Sequence, residues 1–168
     1  HCRTAIGHRS SNACAALMGT EFRYHRRVQF AETDMAGIVH FTSYFRYMEE
    51  AEHALWRAAG LSIAPSEATI GWPRVAAAFD YKRPLRFEEE FHVAVRISGV
   101  SNRTVRYGFT VRRGETVIGH GLLTTACVTR RPEGGLQSVE LPEGLVERLK
   151  GAMTEQAPIE AIVRPADS

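Results

Sequence analysis

Glu32 to Gly60 reads ETDMAGIVHFTSYFRYMEEAEHALWRAAG, an acidic turn that runs through a glycine into a long amphipathic helix. Tyr44, Tyr47, Met48, Ala51, Ala54, Leu55 and Ala58 recur at three-and-four spacing, while Arg46, Glu49, Glu50, His53 and Arg57 gather on the opposite side. The first set predicts a face for burial, the second a face for water. Thr42 or Ser43 can cap the start by accepting a backbone hydrogen bond, and Gly60 can take the left-handed conformation that closes a helix. At 1.5 Å per residue the helix would be roughly 25 Å long, enough to be the axle of a small domain.

Strands are expected on both sides of this axle. Upstream, FRYHRRVQF alternates at Phe22, Tyr24, Val28 and Phe30, which predicts a strand from Phe22 to Phe30 with one covered face. Downstream, LSIAPSEATIGWP reads as loop, and RVAAAFDYKR predicts a short strand ending before Pro84. Phe91, Val93, Val95 and Ile97 alternate with polar partners, and the rhythm returns after Gly99 to Arg103 in Val105, Tyr107, Phe109 and Val111, so a hairpin is expected. Gly114-Glu115 marks the next turn and Thr116 to Thr129 a long strand, followed by a short closing helix from about Pro142. The long strand is apolar on both sides, which predicts that another subunit covers its second face.

Composition narrows the function. The 168 residues are 44% hydrophobic and 24% charged with a net charge of +2, the profile of a soluble globule and not of a polybasic nucleic-acid binder. Residues 1–18 read as a disordered leader, 19–151 as one folded domain and 152–168 as a flexible tail. Cys2 and Cys14 fall in the leader and Cys127 in a predicted strand, so neither a disulfide framework nor a Cys-x-x-Cys metal site can be assembled, and a cytoplasmic setting is expected. No apolar run approaches the ~18 residues of a membrane span.

The chemistry concentrates in the acidic turn. Asp34 precedes the helix start, where backbone N–H groups and the helix dipole favour negative charge, so it either caps a turn or acts on a substrate. Gly37 would let a substrate approach the backbone closely. His40, between Val39 and Phe41, is either a packed ring or a proton shuttle. Glu50 and His53 have the Glu-x-x-His spacing of a carboxylate metal site but lack the second copy such a site requires, so no metal is expected. There is no Gly-x-Ser-x-Gly elbow.

Together these residues resemble the hydroxybenzoyl-CoA thioesterase branch of the hotdog-fold family, from about Phe22 to Leu149. The most specific part is Thr33-Asp34-x-Ala36-Gly37-Ile38-Val39, followed by Tyr44 and RYMEEAEH, with Asp80-Tyr81 before Pro84-Leu85 in support. The resemblance implies an α+β fold in which an antiparallel five- to six-stranded sheet wraps one long central helix. It also implies homodimers or homotetramers, with an acyl-CoA site where subunits meet. The implied reaction hydrolyses a small aromatic or short-chain acyl-CoA to free acid and CoA. Asp34 would be nucleophile or general base, and the backbone N–H of Phe41 would polarise the thioester carbonyl. Gly37, His40 and Tyr44 would contact substrate. No cofactor is implied, because coenzyme A is part of the substrate.

Two departures from the family pattern stand out: Glu32 occupies a position where many relatives carry aspartate, and histidine is at position 40 with Phe41 following. Relatives with a catalytic glutamate on the helix would point to Glu49 or Glu52 instead. The CoA phosphates would meet some of Arg74, Lys82, Arg83, Arg103, Arg106, Arg130 and Arg131. An enoyl-CoA hydratase of the same fold and a non-catalytic acyl-CoA-binding module are the competing functions.

Overall fold

The computed structural model describes residues 21–154, so the expected leader with Cys2 and Cys14, and the tail beyond residue 154, lie outside the described residues. Five strands form one antiparallel sheet: β1 (Phe22–Arg27), β3 (Arg74–Tyr81), β4 (Glu90–Val100), β5 (Thr104–Arg113) and β6 (Thr116–Ala126), in the order β1-β4-β5-β6-β3. A smaller sheet joins β2 (Ile70–Gly71), β7 (Val128–Arg130) and β8 (Leu136–Ser138) in the order β2-β7-β8. The long helix α1 (Ser43–Ala58) packs against the main sheet, and a closing helix α2 (Leu145–Thr154) packs against α1 and β1. This is the hotdog architecture.

The helix buries the face that its spacing predicts. Tyr44, Tyr47, Met48, Ala51, Ala54 and Leu55 join Val93, Val95, Tyr107, Phe109 and Val111 in one core. Gly121 makes the approach possible, because a Cβ there would run into Met48 Sδ. At its far end α1 closes as foreseen: Gly60 has φ +68°, its N–H donates to Arg57 O at 3.0 Å, and the Leu61 N–H reaches Trp56 O at 2.9 Å.

Other expectations need correction. The first strand ends at Arg27, and Phe30 to Glu32 form a single 3-10 turn that leaves Phe30 75% exposed instead of inward. The cause is Glu32, whose carboxylate accepts the Gln29 N–H at 2.9 Å and folds the backbone back before the strand can continue. Thr42 occupies the cap position of α1 without capping it; its hydroxyl pairs with His40 Nδ1 at 2.7 Å. Ser43 Oγ turns to the Glu32 carbonyl at 3.4 Å.

The strand foreseen from Thr116 to Thr129 breaks at Cys127: its N–H still donates to Arg103 O at 2.8 Å in register with β5, but the residues after it leave β5 and pair with β2 and β8. Cys127 and Val128 are buried within this chain, so most of the apolar signal that pointed to a second subunit is satisfied internally, although Leu122 stays half-exposed. The closing helix begins at Leu145, after Gly144 at φ +75°, and not at Pro142. It runs three residues past the expected domain end, with Ala152 and Met153 buried.

β3 is an edge strand. Its partner on one side is β6, and Val75, Ala76, Ala77 and Ala78 are exposed. Its last residue, Tyr81, donates its hydroxyl to the Phe41 carbonyl at 2.8 Å and so ties the edge to the start of α1.

Candidate active site

The acidic turn is a miniature hairpin that feeds α1. Thr33 bridges Val39, the Asp34 N–H donates to Ile38 O at 2.9 Å and the Gly37 N–H to Asp34 O at 3.0 Å. Gly37 sits at φ +73°, a conformation that a side chain resists and that the tight return requires. Next the His40 N–H donates to Glu32 O at 2.8 Å, and the chain enters the helix. The hairpin and the helix start are therefore one continuous hydrogen-bonded lip.

Asp34 stands at the tip of that lip. Its Oδ1 accepts the Ala36 N–H at 2.8 Å, so it does close a turn, while Oδ2 has no partner among the described residues. One oxygen fixes the side chain and the other is left without a described partner. Asp34 and Gly37 line a cavity of about 580 Å³ with Phe30, Ala31, Thr33, Met35 and Phe87. Phe30 and Phe87 meet edge to face with centroids 5.7 Å apart, forming an aromatic wall beside the carboxylate. The other side of that wall faces a second cavity, about 540 Å³, bounded by Arg26, Arg27, Glu50 and Glu88.

The Phe41 N–H donates to none of the described residues, although its carbonyl is held by Tyr81. It lies two residues before α1, where the helix dipole backs an N–H donor. His40 is half-buried; its Nδ1 takes the Thr42 hydroxyl and its ring packs on Phe41 at 4.6 Å. Tyr44 is placed differently from the expectation of a substrate contact. It is 3% exposed, stacks on Phe79 at 4.8 Å, and has its phenol pushed up by burial, with a hydrogen bond to Leu85 working against that shift. Tyr44 supports the site from beneath and does not line the cavity.

The other candidates from the sequence turn elsewhere. Glu50 pairs with Arg26 Nε at 2.7 Å while His53 Nε2 lies 3.1 Å from Arg74, so the Glu-x-x-His pair does not converge. Glu49 is exposed on the solvent side of α1. Glu52 is fully buried, 2.7 Å from Arg74, and burial pushes its carboxyl up to about 7 against the pull of Arg74. Among the basic residues considered for phosphate, Arg74 is thus engaged, and Lys82 pairs with Asp80 at 2.6 Å. A third cavity, about 330 Å³ between Trp56, Trp72, Leu61 and Leu145, lies at the other end of α1; its Arg148 is committed to the Ala59 and Gly60 carbonyls.

Residues 28–149 match the family model described as the thioesterase-like superfamily. The chain belongs to that superfamily. A crystal structure of a hypothetical protein from Aquifex aeolicus superposes with a TM-score of 0.70 at 31% identity, over 77% of this chain and 99% of that one. A 1,4-dihydroxy-2-naphthoyl-CoA hydrolase from Nostoc punctiforme is 25% identical over 133 residues, 77% of this chain and 86% of the relative. A gentisyl-coenzyme A thioesterase structure superposes with a TM-score of 0.68 at 26% identity, over 75% of this chain and 99% of that one.

In this thioesterase-like protein the region around Asp34 contains three features that the sequence reading left out. Phe30 alternates in sequence like an inward strand residue, and the 3-10 turn that moves it into the aromatic wall has no mark in that pattern. Phe87 follows Pro84-Leu85 in a loop with no periodicity to mark it. Glu32 is 9% exposed and ion-paired, and a charged residue next to Phe30 and Val28 was the available signal of a buried partner.

Proposed function

We propose that this thioesterase hydrolyses a small aromatic acyl-CoA to free acid and CoA at Asp34. The observation that carries the reading is the open Asp34 oxygen at a cavity walled by Phe30 and Phe87. A flat acyl group matches that wall. The activities named for the Nostoc relative and the gentisyl-coenzyme A thioesterase support an aromatic acid as leaving product.

The mechanism follows from the two ends of the lip. The Phe41 N–H, backed by the helix, polarises the thioester carbonyl and stabilises the charge that develops on its oxygen. Asp34 then attacks the carbonyl carbon, or takes a proton from a water that does. The C–S bond breaks and CoA leaves as thiolate, which needs no strong general acid because its pKa is near ~8.5. In the nucleophilic route water cleaves the resulting acyl-aspartyl anhydride; in the general-base route the acid forms in one step. Gly37 gives the acyl group room, and the His40 ring packs on Phe41, whose N–H would hold the carbonyl.

The protein acts as a homodimer or homotetramer in this reading. β3 offers an unpaired edge with exposed Val75 and three alanines, free of the lysines and prolines that guard edges of monomers, so a second copy can continue the sheet there. Tyr81, at the end of that edge, would carry the junction to Phe41.

The test is thiol release from benzoyl-, acetyl-, crotonyl- and palmitoyl-CoA by purified protein. Preferred turnover of benzoyl-CoA is expected. Loss of the crotonyl double bond without thiol release would establish a hydratase instead, and saturable binding without turnover of any member would establish a binding module.

A further inference from the structure

We infer that Glu32 is a positioning residue that locks the Asp34 turn and the Phe41 end of α1 into one rigid unit, an inference that rests on the hydrolase reading. Glu32 is joined to both ends at once. Its backbone carbonyl accepts the His40 N–H at 2.8 Å and the Ser43 hydroxyl at 3.4 Å, the residues on either side of the Phe41-Thr42 step. Its own N–H donates to Gln29 O at 3.1 Å, which starts the turn that delivers Asp34 two residues later.

The side chain holds this arrangement from inside. Oε2 accepts the Tyr47 hydroxyl at 2.8 Å and the Gln29 N–H at 2.9 Å, and Oε1 pairs with Arg26 Nη1 at 2.5 Å. Arg26 lies over the Tyr47 ring, 4.7 Å from its centroid, and is held in turn by Glu50. One carboxylate therefore links β1, the turn and the second turn of α1. Burial opposes its charge, but the Gln29 N–H, the Tyr47 hydroxyl and Arg26 outweigh that cost and keep it below the usual carboxylate range.

A hydrophobic side chain of similar size could hold such a position at comparable stability, since buried ion pairs are weak stabilisers. What the carboxylate adds is fixed geometry. Catalytic groups must be held within ~0.5 Å, and a displacement of about 1 Å from a distant change costs on the order of 10²-fold in rate. Asp34 and the Phe41 N–H must act on the same carbonyl, and Glu32 is the residue whose bonds reach toward both.

The experiment compares Glu32→Gln and Tyr47→Phe with wild type in steady-state hydrolysis of benzoyl-CoA and in amide hydrogen exchange of residues 33–41. For Glu32→Gln, kcat is expected to fall by roughly 10- to 100-fold with KM changed less than about threefold. Exchange is expected to accelerate at Gly37 and His40 together, the amides held by Asp34 O and Glu32 O, while β4 and β5 keep their protection. Tyr47→Phe should show the same pattern at smaller amplitude, and it decides the matter if Glu32→Gln does not fold. An active wild type whose variants melt earlier but keep full kcat and unchanged exchange would reduce Glu32 to a structural role and overturn the inference. Wild type that releases no thiol from any acyl-CoA would instead overturn the hydrolase reading.

Discussion

Arg74 Nη2 stands 2.7 Å from Glu52 Oε2, so the exposed edge strand β3 is pinned by charge to a carboxylate that α1 buries completely. The other oxygen, Oε1, has no partner among the described residues, and the nearby Tyr107 hydroxyl accepts the Trp56 Nε1–H at 3.1 Å. The pair is half satisfied. A proton on Glu52 relieves the desolvation that Arg74 leaves uncompensated, which is why the folded pKa rises to about 7 from an ordinary value of 4.5.

The pH dependence follows from that direction. Between 4.5 and about 7 the folded chain holds a proton that the unfolded chain has released, so stability falls as pH rises through this window and then levels. The loss is on the order of 3 kcal/mol. Urea denaturation at pH 5 and pH 8 is expected to show it in wild type and to show most of it abolished in Glu52→Gln. A wild-type profile that rises over the same window would contradict the assignment.

Selectivity should reside in the aromatic wall. Phe87→Ala removes one side of the 5.7 Å edge-to-face contact without touching Asp34. Loss of one stacking partner is worth about 1 kcal/mol, so kcat/KM for benzoyl-CoA should drop roughly fivefold while that for acetyl-CoA changes little. Equal losses on both substrates would remove Phe87 from acyl recognition.

Edge pairing can be tested with one charge. Val75, 60% exposed on β3, is a position where lysine would guard the edge against a second strand. Sedimentation velocity is expected to show wild type as an oligomer and Val75→Lys as a folded monomer with reduced turnover. A wild-type monomer at full activity would refute the shared site.

Close packing of helix and sheet hinges on Gly121. Gly121→Ala places a methyl group against Met48 Sδ and should cost about 1–3 kcal/mol, read as a lower denaturation midpoint with unchanged slope. Met48→Ala on that background should recover part of the loss, whereas no destabilisation by Gly121→Ala alone would mean that the helix rides higher on the sheet.

The long-period features of the fold were legible because they repeat. Tyr44, Tyr47, Met48, Ala51 and Leu55 mark one helix face five times over, and the alternation in β4 and β5 does the same for the sheet. Asp34 and Gly37 were legible through their place ahead of the helix. What escaped was set by single side chains reaching across the chain. Nothing periodic says that Glu32 will fold back onto the Gln29 N–H and end β1 early. Phe30 and Phe87 are 57 positions apart in sequence, and only that fold-back brings them together.

The decisive measurement is kcat for benzoyl-CoA hydrolysis by Asp34→Asn, which keeps the Oδ1 contact to the Ala36 N–H but removes the charge. Loss of the acid–base or nucleophilic role should lower kcat by about 10²- to 10⁴-fold in a protein with wild-type melting behaviour. Turnover within twofold of wild type would mean that the thioester is cleaved by some other group.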